Sequence, residues 1–125
     1  MPFISEESLR HFENAIYLPM LLTILARDRE AVERSPFKFQ APYLRLIDAA
    51  INAVQRDNKV TADYMRANKL RLGRGQVGET FTSYIFYHGG YADERSYLNV
   101  RLKNRSAELL EIYLMRGDIP ALPPS

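Results

Sequence analysis

The chain has 125 residues, 46% apolar and 26% charged, with no cysteine and a formal net charge of +2. That size fits one domain able to bury roughly two-thirds of its unfolded surface, and the composition argues against global disorder. The absence of cysteine excludes disulfides, thiolate metal sites and thiol redox chemistry, and fits a cytoplasmic location.

The first predicted element is a helix starting at Ser5 and running to about Arg34. A serine oxygen accepts from an unpaired first-turn amide, and Glu6 and Glu7 suit the positive end of the helix dipole. Leu9, Phe12, Ile16, Met20, Ile24 and Leu25 follow the helical period, with Leu18, Leu21 and Leu22 widening the stripe. Pro19 lies inside and predicts a kink. Residues 15–26 form the longest apolar run, at 12 residues, well short of the ~20 that cross a bilayer. Glu6, Glu7 and Glu13 stand where a signal peptide would carry positive charge, so none is expected.

Ser35-Pro36 breaks this helix. After a connector with Phe37 and Phe39, a second helix begins near Ala41-Pro42, where proline is tolerated in the first turn. Its stripe of Tyr43, Leu46, Ile47, Ala50, Ile51 and Val54 carries it to about Asn68, giving an antiparallel helical hairpin. Residues 70–72 and 80–87 are rich in β-branched and aromatic side chains and read as a β-hairpin. The second strand alternates Phe81, Ser83, Ile85 and Tyr87 with Thr82, Tyr84 and Phe86, so at least one aromatic face must meet the helices. Gly89-Gly90 marks a turn. From about Leu98 a last helix carries Leu102, Leu109, Leu110, Tyr113 and Leu114 and stops at Gly117.

The whole reads as one α+β domain over residues 1–119, mainly helical, with a flexible tail over residues 120–125. Leu9, Ile16, Leu22, Leu25, Leu46, Ile47, Ala50, Val54, Ile85, Leu110 and Leu114 are expected in the core.

Chemistry-bearing motifs are sparse. Gly73, Gly75 and Gly78 match GxGxxG, but a dinucleotide fingerprint needs a strand before the loop and a helix after it. Here the order is helix then strand, so the expected structure is a flexible hairpin turn. The chain is also too short to hold the rest of a kinase. Of the two histidines, His11 reads as a solvated or hydrogen-bonded helix residue, and His88, among tyrosines, is the one candidate acid or base. Glu6/Glu7 and Asp93/Glu94 are sequence neighbours, a poor spacing for paired acid-base work.

The charge is uneven, and this is the best positive signal. Residues 66–105 carry Arg66, Lys69, Arg71, Arg74, Arg95, Arg101, Lys103 and Arg105 against Glu79, Asp93 and Glu94, a net of +5. Lys69, Arg71 and Arg74 on the hairpin, with Arg101, Lys103 and Arg105 on the last helix, are placed to meet phosphates or a partner protein. Tyr84, Tyr91 and Tyr97 are placed to stack on bases or pack in an interface.

The segments Ala15-Ile16-Tyr17-Leu18-Pro19-Met20, Ser35-Pro36-Phe37-Lys38, Phe81-Thr82-Ser83-Tyr84, Gly90-Tyr91 and Arg101-Leu102-Lys103-Asn104-Arg105 resemble the YhjD-like small proteins of Gram-positive spore-forming bacteria. The resemblance covers nearly the whole chain and implies a stand-alone cytosolic protein, with no catalytic residue to carry over. The expected function is a non-enzymatic, self-associating protein-interaction module using the hairpin edge. Nucleic-acid binding through the basic and aromatic residues is the alternative. The expected partner is a second copy or another protein, and no cofactor, metal or membrane partner is expected.

Overall fold

A computed structural model describes residues 3–116. The expected stop at Gly117 and the tail over residues 120–125 lie outside them. Helix α1 spans Glu6–Glu33, and Ser5 caps it by accepting from the Ser8 amide. It runs unbroken through Pro19. Helix α2 spans Ala41–Ala67 and returns antiparallel along α1 after the Ser35-Pro36 break.

The end of α2 is built by a left-handed residue. Lys69 has φ 54°, and its neighbour Leu70 donates its amide to the Met65 carbonyl at 2.8 Å while Lys69 donates to Arg66 at 3.3 Å. These two bonds close a Schellman cap, a position where glycine is the usual occupant because a Cβ is strained there.

The sheet has three strands rather than the expected two. Strand β1 is Arg71–Val77, β2 is Phe81–His88 and β3 is Tyr91–Leu98, antiparallel in the order β1-β2-β3. The third strand runs straight into α3, Asn99–Arg116. Asn99 joins that helix to the β1–β2 turn, since its Nδ2 donates to the Gly78 and Glu79 carbonyls and its amide donates to Thr80.

Alternation on β2 falls as the sequence indicates. Thr82, Tyr84, Phe86 and His88 share one face, and Phe86, fully buried, stacks on Phe12 of α1 with ring centroids 4.3 Å apart. Ser83, Ile85 and Tyr87 therefore point away from the helices.

The GxGxxG segment is not a flexible turn. Gly73 and Gly75 lie within β1, and only the stretch after Val77 turns. A Cβ on Gly73 would sit 2.6 Å from the Tyr87 ring, and one on Gly75 would sit 2.2 Å from Ser83 Oγ. The glycines thus let β1 close down on β2. The same approach serves the bulge between Arg74 and Val77, where Ser83 Oγ accepts from the Gln76 amide at 2.8 Å and donates to Glu94 of β3 at 3.0 Å. One serine ties all three strands.

Of the expected core, Ile16, Leu25, Ile47, Ala50 and Val54 are buried. Leu46 is 52% exposed, because the buried line of α2 runs through Ile47, Ala50, Val54, Thr61 and Met65, one residue out of step with it. Leu9, Leu22, Leu110 and Leu114 are half-buried at the core margin. Ile85 is half-buried on the outer sheet face, and Phe86 takes the inner place.

Two substitutions between glycine and a side-chain residue should have opposite signs. Gly75→Ala should lower stability by about 1–3 kcal/mol by overpacking Ser83. Lys69→Gly should raise it by about 0.5–1 kcal/mol by relieving the left-handed strain. Urea denaturation with unchanged slope would measure both.

Candidate functional site

The structure gathers part of the basic and aromatic set around one carboxylate. Glu13, one turn before Tyr17 on α1, is half-buried, and Tyr97 Oη of β3 donates to it across 3.5 Å. Burial pushes the Glu13 carboxyl above its usual range, against the opposing pull of Arg101, the Tyr97 hydroxyl, Arg105 and Arg95. Tyr84 meets Tyr97 edge-on at 6.0 Å, Arg74 lies opposite Tyr84 on β1, and Arg95 lies opposite it on β3. The Arg95 guanidinium sits 5.3 Å over the Phe86 ring. Burial also raises the Tyr17, Tyr84 and Tyr97 hydroxyls, so all three stay protonated at neutral pH.

Arg74, Tyr84, Tyr97, Arg101 and Arg105 are therefore neighbours. Glu13, Tyr17 and Arg95 complete the group and were not singled out from sequence. A carboxylate just before the apolar run of residues 15–26 was the signal for Glu13. Arg95 needed the third strand.

The remaining predicted residues lie elsewhere. Lys69 holds the left-handed cap. Arg71 stacks on Tyr87 of the outer sheet face at 3.9 Å, and Tyr87 in turn covers Gly73. Lys103 lines a groove of about 510 Å³ between α1 and α3 with Met20, Ile24, Leu102, Ala107 and Leu110. Tyr91 is 54% exposed at the far end of β3, beside His88.

Both histidines have partners. His88 is buried, with Nε2 2.9 Å from Asp93 Oδ2. His11 lies 2.9 Å from Thr61 Oγ1 and stacks on Tyr64, and burial lowers its pKa. Among the described residues no three His, Asp or Glu side chains are grouped as metal ligands. No helix among them is long and apolar enough to cross a membrane. Gly73 and Gly75 lie inside a strand that leads into another strand and not into a helix, so the segment is not a dinucleotide phosphate loop.

The outer face of the sheet is left without a helix. Ile85 and Tyr87 lie outside the core cluster, and Phe81 pairs with Leu98 across β2 and β3, the two side chains being 51% and 42% exposed. Val77, 85% exposed, stands at the same end, and with Phe81 and Ser96 it rims a depression of about 420 Å³.

Glu13 should leave a pH signature. Its folded pKa lies above the ordinary 4.5, so the native state holds the proton more tightly and the ionised form costs stability at neutral pH. Glu13→Gln should be more stable than wild type at pH 7, with the advantage shrinking as pH falls through the raised pKa toward 4.5. Paired thermal melts across that range would show it, and a constant difference would contradict it.

The sequence profile of the YhjD protein family matches residues 3–118. A protein of Bacillus subtilis (strain 168), named uncharacterized protein YhjD, is 34% identical over 118 residues, which is 94% of this chain and 98% of the relative. No solved structure matches. With nearly its whole length matched by both, the chain belongs to the YhjD family.

Proposed function

We propose that this protein is a non-enzymatic, self-associating interaction module whose contact surface is the outer face of the sheet. The observation that carries this reading is the exposed Phe81–Leu98 pair on a face that no helix covers, with Ile85 and Tyr87 following Phe81 along the same side of β2. Aromatic and aliphatic side chains in the centre of a patch are the usual source of interface affinity.

The face serves better than the edges. Strand β1 is bulged between Arg74 and Val77, and β3 carries Asp93, Glu94 and Arg95 in succession. Bulges and charges are the devices that blunt strand addition. The edge pairing suggested by a two-stranded hairpin therefore gives way to face-to-face packing.

Nucleic-acid binding is the weaker reading. Arg105 is paired with Glu108, Arg95 lies over the Phe86 ring and Arg71 lies against Tyr87, so the cations do not form one open track for a phosphate backbone.

Size-exclusion chromatography with light scattering tests the proposal. Wild type should run heavier than a monomer at both low and high salt. Phe81→Ser with Leu98→Ser should dissociate it, each loss weakening association at least about tenfold, with the circular dichroism unchanged. A wild type that is monomeric at every concentration would overturn the proposal. A shift caused only by added oligonucleotide at low salt would replace it with the nucleic-acid reading.

A further inference from the structure

The connector between α1 and α2 carries a second exposed apolar group, at the opposite sequence end of the hairpin from the polar contacts of His11 with Thr61. Phe37 is 50% exposed, Phe39 68%, Tyr43 50% and Leu46 52%. Residues 34–47 intersperse these with Arg34, Lys38 and Arg45 and contain no acidic residue.

The loop that presents them is internally bonded. Ser35 Oγ donates to the Val32 carbonyl at 2.6 Å and accepts from the Phe37 amide at 3.4 Å. Gln40 Nε2 donates to the Glu33 and Ser35 carbonyls at 3.3 and 3.0 Å. Phe37 and Tyr43 brace each other with centroids 5.2 Å apart. The aromatics are thus displayed on a turn held in place by the Ser35 and Gln40 side chains, as suits a loop that lies in the interfacial zone of a bilayer.

The neighbouring charges leave this tip positive. Glu30 is bonded by Arg34, while Glu33 and Asp48 are both held by Arg29. Lys38, over the Phe39 ring at 5.7 Å, and Arg45 have no carboxylate partner among the described residues. Aromatic side chains that insert shallowly, ringed by cations that meet lipid phosphates, match the chemistry of an anionic membrane surface.

We infer that the α1–α2 turn is a peripheral docking tip for anionic lipid, with Phe37 and Phe39 inserting and Lys38 and Arg45 contacting headgroups. This reverses the sequence-based expectation of no membrane partner, and it is independent of the sheet-face association.

Flotation with vesicles tests it. The full chain should float with vesicles of phosphatidylcholine mixed with phosphatidylglycerol at low salt, and much less with phosphatidylcholine alone. Phe37→Ser with Phe39→Ser should reduce binding about tenfold or more, and Lys38→Glu with Arg45→Glu should erase the preference for anionic vesicles. Both variants should keep the wild-type mass in light scattering. No flotation of wild type with the mixed vesicles would overturn the inference, as would a Phe37→Ser/Phe39→Ser variant that floats like wild type. A change of oligomeric mass in that variant, without flotation of wild type, would make the tip a contact between copies instead.

Discussion

The architecture depends on burying one helix on several sides. His11, Asn14 and Arg29 of α1 bond to α2, Phe12 stacks on Phe86 of the sheet, and Met20 meets Ser106 of α3. Phe12, Leu21 and Leu25 have no exposed surface. The middle of α1, residues 15–26, is apolar nearly all round and cannot rest on one surface alone, so the other elements are arranged about it. The sheet supplies one wall with one face. Its other face is left to solvent or to a second molecule, and this is why the proposed contact surface lies there.

Polar groups set within these helix contacts are matched. Thr61, 2% exposed, lies within hydrogen-bonding distance of both His11 and Asn14, and Ser8 meets the Tyr64 hydroxyl. Deeper in, the Tyr113 hydroxyl of α3 donates to buried Asp57 of α2. Burial, with that bond and the carboxylate charge, raises the tyrosine pKa and keeps the donor protonated. Among the described residues no buried side-chain nitrogen or oxygen lacks a partner. Such contacts add directional constraints to apolar packing, which alone does not fix how two helices slide.

The helices were legible because their signals are local. Ser5 with Glu6 and Glu7, the Pro36 break and Pro42 at the next start each act within one turn, and the structure follows them. Strand β3 was not legible: in YADERSYL, Asp93, Glu94 and Arg95 lower strand propensity, and its place comes from full-length pairing with β2. Gly73 and Gly75 misled for a related reason. Glycine signals a turn locally, whereas here it clears space for Tyr87 and Ser83 on the partner strand. The Glu13 group joins α1, β1, β2, β3 and α3, so no sequence spacing announces it. The family relation was readable from scattered short segments, but it brought no site with it.

The central claim is that the uncovered sheet face meets a second copy of the chain. Because the chain has no cysteine, a single spin label can be placed by Ala92→Cys, on that face opposite Tyr87 and at the other end of β3 from the Phe81–Leu98 pair. Pulsed dipolar spectroscopy on this labelled protein is the most direct measurement. A narrow distance between labels on separate copies, persisting at high salt, is the result the account predicts. Absence of any intermolecular coupling at concentrations where light scattering shows an oligomer would contradict it.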